Sequence, residues 1–182
     1  MIALVDDIKV IYRNDPAAKN IEFLLYPGLH AITIHRYLSH PLYKLRIPFL
    51  PRMVSQLIRL LTFVEIHPGA KIGRGFFIDH GAGIVIGETA EIGDNCILFH
   101  NVTLGGTGKH EKKRHPTLGN NVLVGTGAIL LGPVKVGSNV RIGANTFIIN
   151  KNVPSNCTVV GVPAKIVRLE GKAVEKELVE TD

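Results

Sequence analysis

The stretch FFIDHGAGIVIGETAEIG, residues 76–93, decides how the chain is read. Isoleucines stand at 78, 84, 86 and 92, six apart except for one two-residue slip. Working outward, Ile66 and Ile72 extend the series backward, and Leu98 and Leu104 extend it forward. After a longer interruption it resumes at Leu118, Val124, Leu130, Val136, Ile142 and Ile148, and Pro154, Val160 and Ile166 fall in the next slots. Small or β-branched residues often stand four places on, as at Ala70, Ala90, Val102, Ala128 and Val140. A period of six matches neither the 3.6 of an α-helix nor the 2 of a simple strand. It matches a parallel β-helix: each hexapeptide gives one short strand and a corner, and three make a coil of roughly 18 residues. The fold class is therefore mainly β, a hexapeptide-repeat β-helix over residues 63–168 behind a small α-helical domain at 1–62. Residues 169–182 read as a charged tail.

Composition agrees with that reading and excludes others. Hydrophobic residues make up 46% and aromatics only 6%, with no Trp and 19 glycines. Such a core is aliphatic, and its turns are tight and repeated. Cys96 and Cys157 form no CxxC pair and read as small buried hydrophobes in a reducing, cytoplasmic setting. Asp6 and Asp7 break the first apolar stretch, so no signal peptide is expected. The most apolar region, 47–66, contains Arg52, Gln56, Arg59 and two prolines and is no membrane span. The net charge of +6 suggests an anionic partner. Nucleic acid is disfavoured, because no basic stripe is interleaved with stacking aromatics.

The interruptions carry the functional signal, since a regular coil has no use for extra residues. GGTGKHEKKRHPT, residues 105–117, is an inserted loop holding the densest basic run. Insertions in solenoids map to loops that often bind. The two-residue slip, between Ile84 and Ile86, comes shortly after the pair Asp79-His80. In the first 62 residues, helices are expected near 3–13, 28–40 and 49–63. Asp15 is expected to cap a further helix that Pro16 opens. His30, His35 and His40 are five apart, which spreads them around an α-helix and suits structural roles better than metal binding.

Three longer stretches carry a resemblance: EIHPGAKIGRGFFIDHGAGIVIGETAEIGD (65–94), NVTLGGTGK (101–109) with RHPTLG (114–119), and VVGVPAKIV (159–167). With RNDPAAK and GLHAITIHR in the helical part, the sequence resembles the serine O-acetyltransferases. The resemblance implies a left-handed β-helix that moves the acetyl group of acetyl-CoA to the hydroxyl of L-serine, giving O-acetyl-L-serine for cysteine biosynthesis. A neutral hydroxyl is a poor nucleophile and needs a base, a task suited to histidine. By resemblance His80 is that base and Glu65 its orienting partner, where better-known relatives carry aspartate. Asp15 and Asp79 would take the serine ammonium, and Arg114 its carboxylate, with His115 assisting. Gly106, Thr107, Thr126 and Ala144 would line the acetyl-CoA arm, with Lys165 near the phosphates, and no metal is expected. His100 lies twenty after His80, one coil plus the slip, which stacks the two on one face.

Two other readings fit parts of this pattern. A metal-dependent carbonic anhydrase of the same architecture would use His110 and His115 with His80 or His100. A non-catalytic binding subunit would be expected to lack His80, Arg114 or His115. The resemblance further implies a homotrimer with sites in the clefts between subunits, a hexamer being the alternative. The end ELVETD lacks the terminal isoleucine of relatives that hold a sulfhydrylase, so no stable complex of that kind is expected.

Overall fold

The structure, a computed structural model, describes residues 2–108 and 111–180. Its body is a left-handed parallel β-helix of about five turns. Face A stacks β1 (Val64–Ile66), β4 (Ile84–Ile86), β7 (Thr103–Gly105), β10 (Ile129–Leu131) and β13 (Phe147–Ile149). Face B stacks β2 (Lys71–Ile72), β5 (Glu91–Ile92), β8 (Thr117–Leu118) and β11 (Lys135–Val136). Face C stacks β3 (Phe77–Ile78), β6 (Ile97–Leu98), β9 (Leu123–Val124), β12 (Arg141–Ile142) and β15 (Cys157–Val160). The six-residue series is the inward column. Ile86 pairs with Leu104, Val124 with Ile142 and Leu130 with Ile148, each one coil apart. Ile84, Ile86, Leu98, Leu104, Leu130, Ile142 and Ile148 are essentially inaccessible. Ala70, Ala90, Val102, Ala128 and Val140 fill the corners behind them. Burial of each such aliphatic side chain stabilises the fold by about 1.5–3 kcal/mol.

Both interruptions fall at corners. The slip lies where face C turns into face A, so Ile78 pairs with Leu98 and Ile66 with Ile86 over a lengthened first coil. The insertion lies where face A turns into face B, between β7 and β8. At the far end the parallel register stops earlier than the sequence suggests. Pro154 has no N–H for the ladder, and Val153 donates to the Lys135 carbonyl instead. Val153 then bridges Val136 and Val159 pairs with Ile142, so these two take the inward places expected of Pro154 and Val160. β16 (Lys165–Leu169) runs antiparallel to β15, and β17 (Lys172–Glu177) folds back on it. β14 (Lys151–Asn152) pairs with β18 (Val179–Glu180). The expected charged tail is thus largely a hairpin and strand against the last coils. Asp182, on which the sulfhydrylase expectation rests, lies outside the described residues.

Among the described residues four α-helices precede the first coil and pack on it: α1 (Ile2–Asn14), α2 (Pro27–Ile34), α3 (His40–Lys44) and α4 (Leu50–Thr62). Asp15 opens no α-helix. It follows α1, and its carboxylate accepts from the Ala17 N–H in a tight turn. Gly28 lets α2 lie directly on the first coil: a Cβ there would stand 2.5 Å from the Ile78 carbonyl oxygen. Residues 35–39 form a π-turn, closed by the His40 N–H to the His35 carbonyl. Its extra residue per turn brings His35 and His40 to a ring separation of 5.3 Å, where an α-helix would splay them. Arg36 from the same turn pairs with buried Asp7 at 3.0 Å and donates to the Ile72 and Gly73 carbonyls. No helix among the described residues is long and apolar enough to cross a membrane.

His35 Nε2 donates to the Ala70 carbonyl at 3.1 Å, joining the π-turn to the first coil. Burial, aided by the charges of His40 and Arg36, pushes its pKa down to about 3. The unfolded chain protonates near the ordinary value of about 6.5, so it binds more protons than the folded chain between those values. Stability should therefore fall as pH drops from about 6.5 toward 3, by up to about 1.4 kcal/mol per pH unit from this residue. Urea titrations of wild type and His35→Gln at several pH values should show a shallower acid slope in the variant; equal slopes would contradict the assignment.

Candidate active site

The proposed substrate residues fall into two clusters, one at each edge of face A. The first sits at the edge shared with face C. His80 follows β3 at the slip, in the left-handed region at φ 61°, with Gly81 at φ 80° and Gly83 at φ 77°. The extra residues push the His80 side chain outward, and it is 72% exposed. The His80 and His100 rings meet edge to face at 5.5 Å, as their spacing predicts. Buried His100 Nδ1 has no hydrogen-bond partner among the described residues. Tyr26 closes this cluster from the helical side. Its hydroxyl donates to Asp15, and that bond, together with burial and the charges of Asp15 and Asp79, lifts its pKa to about 12. Asp15 and Asp79 thus both act on the one phenol, and Asp79 lies beside His80.

The second cluster sits at the edge shared with face B, where the insertion returns to the coil. Arg114 donates to Glu88 through Nη2 and to the Glu111 carbonyl through Nη1. Tyr43 also donates to Glu88, at 2.9 Å. Burial would raise the Glu88 carboxyl, but the hydrogen bonds from Tyr43 and Arg114 outweigh it and hold the group below the ordinary range. Lys113 Nζ donates to the Thr89 and Pro116 carbonyls, fastening the end of the loop to the coil. Burial lowers its pKa. His115 lies behind Arg114 against Thr89, and His67 faces the same group across Tyr43. The basic run is therefore anchored rather than a solvated loop. Lys109 and His110 lie outside the described residues.

Glu65 is not brought to His80 in this chain. Its carboxylate accepts from Arg52 at 2.9 Å and is paired with Arg59 at 3.0 Å, both on α4. The nearest carboxylate to His80 is Asp79, at 3.9 Å. The residues expected along acetyl-CoA divide between the same two edges. Gly106 and Thr107 lie at the start of the insertion, and Thr107 Oγ1 is buried without a hydrogen-bond partner among the described residues. Thr126 and Ala144 occupy the opposite edge, in the turns after β9 and β12. Lys165 is paired with Glu175 at 3.0 Å and Glu177 at 3.4 Å from the hairpin. No group of three or more metal-binding side chains is gathered among the described residues.

Tyr26, Tyr43, Glu88 and Thr89 complete the two clusters, and sequence reasoning missed all four. Glu88 and Thr89 do lie in GETAE, one coil before the insertion, on the corner to which the loop must return. No comparable signal marks Tyr26.

The family of bacterial transferase hexapeptide repeats (six repeats) matches residues 115–150. A serine acetyltransferase of Synechococcus elongatus is 55% identical over 94% of this chain and 70% of its own length. A Helicobacter pylori serine acetyltransferase is 54% identical over 92% of this chain and 98% of its own length. Among solved structures, the Brucella abortus serine acetyltransferase in complex with coenzyme A superposes with a TM-score of 0.88 at 40% identity. That match covers 96% of this chain and 69% of the other.

Proposed function

The chain belongs to the serine acetyltransferase family, and from that premise we propose that its two edge clusters are halves of one site completed between neighbouring subunits of a homotrimer. The observation that carries this is the outer side of face A, which lies between the halves. Of its outward residues, Val85, Ile129, Leu131, Phe147 and Ile149 are apolar, Glu65 and Thr103 are polar, and Ile129 and Ile149 are 37% and 41% exposed. The corresponding positions of face B are Lys71, Glu91, Thr117 and Lys135. Three copies placing face A toward a common axis bury this surface. The same rotation sets the His80 edge of one subunit against the Arg114 edge of the next. It also joins Thr126 and Ala144 to Gly106 and Thr107 across one cleft.

Within that cleft the reaction is acetyl transfer from acetyl-CoA to L-serine. Asp15 and Asp79 take the ammonium, and the Arg114 fork takes the carboxylate. His80 accepts the proton of the hydroxyl as that oxygen attacks the thioester carbon. The exposed imidazole and its His100 neighbour support this reading, and the neighbouring subunit supplies the cover that the isolated chain lacks. Glu65 sits close to the proposed axis, where Arg52 and Arg59 neutralise it. At the acetyl-CoA end, Lys165 serves the phosphates by exchanging Glu175 and Glu177 for them.

Thiol release from acetyl-CoA, measured over a panel of hydroxy-amino acids, tests the function. L-serine should be the preferred acceptor, and turnover without any acceptor preference would contradict it. Arg114→Lys keeps the charge but loses the fork, so the serine KM should rise about tenfold or more while the acetyl-CoA KM stays near wild type. A change confined to the acetyl-CoA KM would move Arg114 to the acetyl-CoA site.

A further inference from the structure

We propose that Thr89 is a positioning residue that fixes His115 as a neutral imidazole with its proton on Nε2, so that His115 serves the reaction as a hydrogen-bond donor and not as a second base. This rests on the acetyl-transfer reading above. The tautomer follows from donors that have no choice. The Thr89 backbone N–H donates to His115 Nδ1 at 3.1 Å, and a backbone amide can only donate. The Thr89 hydroxyl accepts from the Arg114 N–H at 3.0 Å and from the His115 N–H at 3.1 Å. Both its acceptor positions are then in use, and its own proton points to Nδ1 at 2.9 Å. Nδ1 thus receives two hydrogen bonds and has no room for a proton. A proton added there would face two donors at short range.

The surroundings act the same way. Burial and the positive charge of Arg114 push the His115 pKa down to about 4; His67 and Lys113 add to this, and Glu88 opposes it. The ring rests on bare backbone. A Cβ at Gly87 would stand 2.0 Å from His115 Cδ2, and one at Gly106 would stand 3.4 Å from Nε2. Glycine at 87 is therefore required for the ring to lie where it does. Nε2 has no acceptor among the described residues and lies beside Gly106, where the acetyl-CoA arm is proposed to enter.

This divides the chemistry between two histidines. The serine oxygen bonds to the thioester carbon and gives its proton to His80. The carbonyl electron pair moves onto oxygen, where the His115 Nε2–H meets the developing charge. Collapse restores the carbonyl and breaks the carbon–sulfur bond, and the departing thiolate takes the proton back from His80. A donor already oriented before reaction is more effective than one that must reorient.

Nitrogen NMR of uniformly ¹⁵N-labelled protein tests the assignment, with the His115 signals identified by their loss in His115→Gln. The proposal expects an unprotonated Nδ1 and a protonated Nε2, unchanged from pH 8 to about 5. Thr89→Val should lower kcat about 10- to 100-fold with little change in either KM, and should let His115 titrate nearer its ordinary value. Thr89→Ser should restore both. A protonated Nδ1 in the wild type would overturn the proposal, as would wild-type kcat in a folded, trimeric Thr89→Val. The spectrum is read without turnover. A wild-type protein inactive on serine but with the proton on Nε2 would overturn the acetyl-transfer reading and leave the tautomer assignment standing.

Discussion

His80→Ala should lower the turnover of serine acetylation by about 10²–10⁴, the usual contribution of a general base, and should leave the fold intact. The fold is spared because the side chain lies outside the inward column and is 72% exposed. Turnover suffers because the serine hydroxyl has no comparable acceptor in reach. In the proposed site Asp15 and Asp79 are given to the ammonium, and His115 keeps its proton on the nitrogen that faces the cleft. His100 is the one neighbour that could substitute, at a ring distance of 5.5 Å. His100→Ala should therefore lower the residual rate of His80→Ala further while costing the wild type less. Steady-state kinetics with the folded state checked by circular dichroism decides it. Wild-type turnover in a folded His80→Ala would remove this residue from the mechanism.

Replacing both Ile129 and Ile149 by glutamate should abolish assembly and, with it, about 99% of the activity or more. In the single chain both residues are exposed on face A, so substitutions there change stability by only about 0.5 kcal/mol each. In a trimer the same positions meet their copies around the axis. Six carboxylates would then lose water and repel one another, each at a cost of several kcal/mol. Light scattering should give the chain mass of 19.8 kDa for the variant and three times that for the wild type. A monomeric variant with full activity would show that one chain holds a complete site. A trimeric variant would show that face A is not the interface.

Much of this was legible before any coordinates. The period of six locates the inward column because every coil must fill one aliphatic centre, and Ile66 to Ile148 occupy it in register. The two interruptions mark the working corners because extra residues can only leave a closed coil sideways. The reading failed where one residue's chemistry overrode the period. Pro154 fits the spacing but cannot join the ladder, so Val153 took its place. The π-turn at 35–39 is invisible to a 3.6-residue rule. Glu65 was placed beside His80 by resemblance, which does not fix the direction of a side chain. Arg52 and Arg59, from a helix with no repeat to read, turn it elsewhere. Tyr26 escaped for a similar reason, since only the packing of the helices on the first coil brings it to Asp15 and Asp79.

The central claim, a site divided between subunits, is tested most directly by mixing two inactive variants. His80→Ala lacks the base half and Arg114→Ala lacks the carboxylate half. Refolded together in equal amounts, they form mixed trimers in which a cleft is intact when an Arg114→Ala chain offers its His80 edge to a His80→Ala chain. Random assembly makes about one quarter of the clefts intact, so activity should return to about one quarter of the wild-type value. Mixed trimers, verified by a tag on one variant, that stay as inactive as either parent would place both residues in the same chain's site and contradict the account.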